Sequence, residues 1–164
     1  MAQETRINYQ GQGFWIPEAF IEILSQFICE TFEGLGLNNF SAALQGIYDD
    51  CDGNRSGEKI GVVNISFDYY INNVTDKANL ISVLQQTKTL IMSQGTQLSI
   101  STLNEFESNK TDDYFKNTWR YPINTQSLAA TIDIIVQVLN GTWNSDTAGV
   151  YYTGFPNPDG VSPI

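Results

Sequence analysis

The segment from Pro17 to Glu33 constrains the fold most, because its apolar residues recur with the spacing of one face of an α-helix. Pro17 occupies a position where a first helical residue is favoured, and Gly34 and Gly36 end the pattern. The glutamates of the segment fall on the opposite arc. The sequence therefore predicts an amphipathic helix with an acidic outer face.

The segment 125–140 gives the next strongest helical signal. From residue 132 onward only Asp133, Gln137 and Asn140 interrupt its apolar circumference, and Gly141 closes it. A helix that is apolar on most of its surface must be buried. We therefore expect this helix at the centre of the fold.

Weaker patterns complete the prediction. The segment 63–70 alternates as a strand would, but Ser66 can equally cap a short helix there. Residues 1–13 are polar and are expected to be loosely ordered, whereas the tail from Asp146 suits a short strand or a docked coil. Further helices are predicted after a cap at Asn38 or Asn39 as far as residue 50, from a cap at Thr75 or Asp76 to Gly95, and around 101–109. Together these elements predict a single domain over 1–164, a mainly α helical bundle with room for a short two-stranded β element, and an α+β fold as the alternative.

The amino-acid composition excludes several kinds of catalysis and of ligand binding. The chain of 164 residues has no histidine and a formal charge of −10. The absence of histidine excludes Ser-His and Cys-His nucleophile activation and imidazole metal ligands. The negative charge disfavours direct binding of nucleic acid. We therefore expect a binding protein rather than an enzyme, with no cofactor.

The loop 49–58 is the best candidate for a metal site. Counted from Asp52, it places EF-hand-like residues at positions 1, 3, 5 and 6, namely Asp52, Asn54, Ser56 and Gly57. Position 12, which should be a bidentate glutamate, is Val63, and position 8, which should be apolar, is Lys59. We therefore interpret the loop as a solvated acidic turn and expect no bound metal.

Paired carboxylates raise the alternative of a carboxylate-dependent hydrolase. The pairs are Glu105 with Glu107 and Asp112 with Asp113. A general acid and base must converge across a substrate, about 5–10 Å apart, in environments that separate their pKa values. Neighbouring acids in polar sequence usually point at water, so this hypothesis ranks third.

Most of the excess negative charge lies between residues 18 and 58. The acids of this segment, with Arg55 as its one basic residue, are Glu18, Glu22, Glu30, Glu33, Asp49, Asp50, Asp52 and Glu58. Glu30 and Glu33 lie near the end of the first predicted helix, where the helix dipole disfavours anions. An acidic face can serve solubility alone, or it can complement a basic protein partner. We take these eight residues as the candidate partner-binding site.

Two opposing features of the sequence bear on the cellular compartment of the protein. Neither a signal-peptide-like apolar region nor a membrane-spanning run is evident, which favours the cytoplasm. Cys29 and Cys51 are too few for a disulfide framework and are expected to be buried free thiols. Six Asn-x-Ser/Thr triplets, beginning at Asn39, Asn54, Asn64, Asn73, Asn109 and Asn140, favour instead a ligand-binding or structural domain of a secreted glycoprotein. We favour the cytoplasm and keep the glycoprotein as the second hypothesis.

In general character the chain resembles the bacterial immunity proteins of contact-dependent growth inhibition and other polymorphic toxin systems. The resemblance lies in FWIPEAFIEIL at 14–24, in DDYFKNTWRYPI at 112–123, and in the last helix with its continuation WNSDTAGVYY to Tyr152. It implies a cytoplasmic protein that binds a secreted toxin domain, often a nuclease, and blocks its active site or substrate path. Taken with the acidic residues 18–58, it predicts a basic toxin domain as the partner and no membrane. Because these proteins share no functional motif, the resemblance assigns no binding residue and no oligomeric state.

Overall fold

The computed structural model describes residues 3–59 and 62–143 of the chain. The fold is mainly α-helical with small β elements, as the sequence predicts. Short 3-10 turns lie at Leu37–Asn39 and Asp113–Phe115. In chain order the strands and helices are β1 Glu4–Tyr9, β2 Gln12–Pro17, α1 Glu18–Leu35, α2 Ala42–Ser56, α3 Phe67–Tyr70, α4 Val74–Met92, β3 Gln97–Leu98, α5 Ile100–Glu107, β4 Ile123–Asn124 and α6 Thr125–Asn140.

The N-terminal region differs from the prediction, because much of residues 1–13 belongs to an antiparallel hairpin of β1 and β2. Gln10 and Gly11 both have positive φ and form its two-residue turn. Ile7 pairs with Phe14, and both side chains are fully buried. The expectation of loose order was wrong because the apolar residues alternate only over a few positions, and their burial depends on distant helices.

Helix α1, rather than α6, lies at the centre of the molecule. It contacts β2, α2, α4 and α5, whereas α6 packs mainly on α4 and also contacts β1. The helix begins after Pro17 and ends at Gly36, whose φ of 86° suits glycine. Even Gln26, on the arc expected to face solvent, is buried. The predicted acidic outer face of α1 is therefore partly covered, since Glu18, Glu22 and Glu30 are partly buried and only Glu33 is exposed.

Helix α2 is longer than predicted. It begins after Ser41, whose hydroxyl accepts a hydrogen bond from the backbone N–H of Leu44, and not after Asn38 or Asn39. It continues through the predicted acidic loop to Ser56 and ends at Gly57 in the left-handed conformation. Cys51 and Asn54 within this added length are buried. Tertiary packing thus extends the helix through residues whose local preference is for turns.

The ambiguous segment 63–70 is not a strand. Residues 62–66 have no regular secondary structure, and Phe67–Tyr70 forms the short helix α3. Helix α4 is capped by Asn73, which accepts a hydrogen bond from Asp76 N, rather than by Thr75 or Asp76. The prediction for 125–140 is correct at both ends, whereas the tail from Asp146 lies outside the described residues. Among the described residues, no helix is long and apolar enough to cross a membrane.

Candidate partner-binding site

The eight predicted acids do not form one solvated face. Three of their side chains, those of Glu22, Glu33 and Asp52, belong to two ion-pair clusters on either side of a narrow groove along α1, and the other five lie outside these clusters. Arg55 forms the centre of one cluster and Lys110 the centre of the other.

The Arg55 cluster joins α1 to α2. The Nη2 atom of Arg55 lies 2.5 Å from Glu33 Oε1, and its Nε donates to Asp52 Oδ1 at 2.8 Å. The Tyr48 hydroxyl donates to the same Glu33 oxygen at 2.9 Å. Burial alone would raise the pKa of Glu33, but the hydrogen bonds from Arg55 and Tyr48 lower it. Two of the predicted acids are therefore held by the one basic residue of their segment.

The Lys110 cluster is buried and joins α1, α5 and the segment after α5. The Lys110 side chain is only 3% exposed. Its Nζ contacts Glu22 Oε2, lies 2.7 Å from Glu107 Oε2 and donates to the carbonyl of Phe115 at 3.0 Å. Burial raises the pKa of Glu22, and Lys110 partly offsets this effect. Glu22 is thus an internal structural carboxylate, contrary to its predicted place on an outer face.

Two further side chains complete this cluster. Asn117 Nδ2 donates to Glu22 Oε2 at 3.0 Å and to Glu107 Oε1 at 3.1 Å. The Trp119 indole N–H donates to Glu107 Oε1 at 2.8 Å, and the backbone N–H of Asn117 donates to Glu107 Oε2 at 3.0 Å. These bonds satisfy most of the lone pairs that burial removes from water. They also fix the segment 110–119 against the helices.

The groove between the clusters is narrow. Gln26, one of its lining residues, donates to Glu30 Oε1 at 2.7 Å. The volume of the groove is about 10 Å³, which is roughly the space needed for one water. The lining residues are Glu22, Ile23, Gln26, Arg55, Phe106, Glu107 and Lys110. The groove can therefore admit a water, but it does not open wide enough for a sugar or peptide substrate to reach Glu22 and Glu107.

Of the remaining predicted acids, Asp49 and Asp50 lie on α2, and Glu58 follows its end. Asp50 is buried, pairs with Lys59 and accepts a hydrogen bond from the backbone N–H of Ser66 at 2.8 Å. Asp49 and Glu58 are exposed. Glu18, at the start of α1, is half-buried, and burial raises its pKa. Asp49 and Glu58 are therefore the predicted residues most available to a partner.

Sequence reasoning did not identify Lys110, Asn117 or Trp119 as part of this site. Their partners are far away in the sequence, and Glu22 lies 88 residues from Lys110. The only local signal is the spacing of three residues between Glu107 and Lys110, which allows an ion pair at the end of a helix. Nothing in that spacing indicates that the pair is buried.

The paired carboxylates of the hydrolase hypothesis do not converge. Glu105 is exposed, whereas its partner Glu107 belongs to the buried Lys110 cluster. Asp113 pairs with Lys116, whose hydrogen bonding lowers the pKa of this exposed carboxyl. Asp112 accepts a hydrogen bond from the backbone N–H of Tyr114. Each carboxylate thus has its own surroundings, with no shared substrate position.

Metal ligands are not assembled in the described part of the chain, where no three His, Cys, Asp or Glu side chains are grouped to hold an ion. The EF-hand-like residues Asp52, Asn54 and Ser56 lie on α2, which turns them around a helix instead of around a central cation. Cys29 and Cys51 are buried free thiols, as predicted. Burial raises the pKa of Cys51 to about 12, so it is an unreactive thiol at neutral pH.

Asn54 bears on the glycoprotein hypothesis. It begins one of the six acceptor triplets, yet it is 1% exposed within α2. Its side-chain amide donates to the Ser25 hydroxyl at 3.2 Å and to the carbonyl of Asn64 at 2.9 Å. A glycan on this nitrogen would displace the α1–α2 contact. At least this triplet is incompatible with glycosylation in the folded protein.

Comparison with known proteins finds no matching family, no matching curated protein and no matching solved structure.

Proposed function

We propose that this chain is an immunity protein that neutralises a cognate toxin by stoichiometric, non-covalent binding. The toxin domain on this proposal is basic, and a nuclease fits because its substrate site must attract phosphates. The immunity protein acts in the cytoplasm, without a cofactor and without catalysis. Its contact surface is the acidic face beside α2, which is defined by Asp49 and Glu58 with the Arg55 cluster next to them.

The observation that carries this proposal is the way in which the protein uses its cations. Five of its eight basic residues form ion pairs within the molecule, namely Arg55, Lys59, Lys88, Lys110 and Lys116. Exposed carboxylates such as Asp49, Glu58 and Glu105 form no ion pair with another described residue. The negative excess therefore faces outward, where it can accelerate association with a basic surface.

The Arg55 cluster adds a feature suited to a partner. Glu33 and Asp52 are each only partly covered, although both are bound to Arg55. A toxin cation that approaches them meets two carboxylates already fixed in position, so little side-chain entropy is lost on binding. This supports contact at the junction of α1 and α2 rather than at the buried Lys110 cluster.

The experiment begins with the protein encoded by the reading frame next to this gene, which is the candidate toxin. This candidate toxin is produced in cells with and without the present chain, and growth inhibition is measured in both cases. Asp49→Lys and Glu58→Lys should each slow association severalfold and weaken its dependence on salt, because rim charges act mainly by steering. Glu105→Lys, an equal charge change at an exposed site on α5, is the matched control and should bind like the wild type.

Two results would contradict the proposal. In the first, no neighbouring protein is toxic and cells that lack this chain show no sensitivity. In the second, the reversed variants bind and protect as well as the wild type over a salt series, which would make the acidic face a solubility feature. A longer precursor with a cleaved signal peptide would instead favour the secreted glycoprotein.

A further inference from the structure

A pair of tyrosines on α3 forms an unusual surface feature. Tyr69 is 76% exposed, and its ring lies 4.8 Å from the Tyr70 ring at an interplanar angle of 87°. Tyr70 rests on α2 at Gly46, where an added Cβ would lie 2.1 Å from the ring atom Cε1. The glycine thus lets the Tyr70 ring approach the helix backbone, and Tyr69 stands edge-on against it.

The backbone that carries these rings is fixed by the N-terminal hairpin. Asp68 accepts a hydrogen bond from the backbone N–H of Gln10 at 2.8 Å and another from the Asn8 side chain at 3.3 Å. On the other side of α3, the Tyr9 hydroxyl donates to the carbonyl of Ile71 at 3.3 Å. An exposed ring on a fixed backbone binds at a low entropic cost.

Two carboxylates of α2, those of Asp49 and Asp50, follow the contact at Gly46 along the helix. Asp49 lies one turn beyond Gly46 on α2 and is exposed. Burial raises the pKa of Tyr70, and Asp50 and Asp49 raise it further. Lys59, the cation of this region, is held by Asp50.

We propose that the Tyr69–Tyr70 pair, with Asp49, is an anchoring surface for an arginine side chain of a basic protein partner. A guanidinium group stacks on an aromatic face and also pairs with a carboxylate through two parallel N–H donors, whereas a lysine ammonium forms a weaker match to both. Tyrosine and arginine are also the residue types that dominate binding energy at protein interfaces. The inference rests on the proposed function for its partner, but its chemistry is tested without the toxin.

The test uses two probes, N-acetyl hexa-arginine amide and N-acetyl hexa-lysine amide, titrated into the isotopically labelled protein and followed by NMR. Hexa-arginine should shift the Tyr69 ring signals and the amides of residues 46–49 and 67–70, and it should bind more tightly than hexa-lysine. Tyr69→Ala should weaken hexa-arginine binding about two- to fivefold, and Tyr69→Phe should retain it. Tyr114→Ala is the control, because Tyr114 is 85% exposed and lies beyond α5.

The inference is overturned if Tyr69→Ala binds hexa-arginine as the wild type does, or if Tyr69→Ala and Tyr114→Ala lose the same affinity. It is also overturned if both peptides shift signals equally over all acidic regions, since that result reports general attraction to a chain of charge −10. The proposed function fails separately, by the absence of toxin protection. If the protein binds hexa-arginine selectively but does not protect cells from the toxin, the arginine-binding surface stands and the proposed immunity function is wrong. If the Tyr69→Ala variant protects cells from the toxin as well as the wild type does, the immunity function stands and this surface is not the anchor for the toxin.

Discussion

At the residue scale, Lys110 has the most demanding environment in the described part of the molecule. A buried ammonium is stable only when opposite charges and hydrogen-bond acceptors replace its water. Glu22, Glu107 and the carbonyl of Phe115 supply them. The same contacts bring α1, α5 and the segment after α5 together, so one side chain links three parts of the fold.

Lys110→Met should therefore destabilise the protein by about 3–5 kcal/mol, because it leaves the buried Glu107 and the mostly buried Glu22 without a cation. Urea unfolding at pH 7 measures the change. Glu22→Lys should also be strongly destabilising, since it places a second cation beside Lys110. The control is Lys77→Met, because Lys77 forms no ion pair with a described residue and its loss should change stability by less than about 0.5 kcal/mol. A Lys110→Met variant as stable as this control would contradict the structural role of the cluster.

Glu33 gives the protein a pH dependence that can be assigned to one residue. Because its pKa is lowered in the folded state, its ionised form contributes stability above the unfolded pKa of about 4.5. That contribution is lost as pH falls through the lower folded pKa. Glu33→Gln should thus be less stable than the wild type at pH 7, and the difference should shrink on acidification to pH 3. Thermal melts across this range test it, and a constant difference would show that Arg55 does not act through the charge of Glu33.

At the element scale, close packing decides where short elements can lie. Helix α3 has only one turn and fits because Gly46 lets Tyr70 lie against α2. Helix α6 is held by an extensive buried face. The first includes one very close contact, that of Tyr70 with Gly46, whereas the second is held by many apolar side chains, which leads to different expectations for substitutions.

Substitution of two helical glycines by alanine distinguishes the effect of glycine on side-chain packing from its effect on helix propensity. Gly34→Ala meets no atom within 4 Å and should stabilise α1 by about 0.5–1 kcal/mol. Gly46→Ala makes the same exchange in α2 but collides with the Tyr70 ring, so it should destabilise by about 1–3 kcal/mol. Chemical denaturation of the two variants gives the comparison. If Gly46→Ala also stabilised the protein, the Tyr70 ring would not depend on this contact.

Ile135 tests the phase of α6. Its side chain is fully buried, so Ile135→Ala should cost about 2–5 kcal/mol through lost burial and the cavity left behind. Gln137, two residues away, is exposed and should tolerate alanine with little change. Unfolding in denaturant measures both variants. The reverse order of stabilities would show that the helix is turned the other way.

At the scale of the whole molecule, the charge of −10 opposes folding through self-repulsion. Raising NaCl from about 10 mM to about 0.5 M shortens the screening length from roughly 30 Å to a few ångströms. We expect the melting temperature to rise by about 2–4 °C, which corresponds to about 1 kcal/mol for a chain of this size. A fall would mean that surface ion pairs outweigh the repulsion.

Calcium serves as a second arm of the same experiment, at matched ionic strength. A site with a Kd of about 10 μM would add about 2.7 kcal/mol at 1 mM calcium. Because the EF-hand-like residues from Asp52 lie on α2, calcium should stabilise the protein no more than magnesium does. A calcium-specific increase that Asp52→Ala abolishes would contradict this expectation.

The sequence by itself determined the helical class, the length of α6 and the approximate extents of α1 and α5. Each of these follows from local signals: apolar periodicity, caps and glycine stops act within a few residues of one another. The eight acids were also identified from sequence as a concentration of charge, because net charge is a property of composition. The sequence did not indicate which of these eight side chains are exposed to solvent.

Only the tertiary structure decided which acids are available to a partner and which elements surround α1. Glu22 lies inside because Lys110, far along the chain, needs a buried counter-charge, and Glu33 and Asp52 are engaged because α2 brings Arg55 beside α1. The hairpin β1–β2 and the extension of α2 to Ser56 likewise depend on packing against distant helices. Ion pairing and the burial of individual charged side chains depend on contacts between distant parts of the chain, and a local pattern does not specify which parts meet.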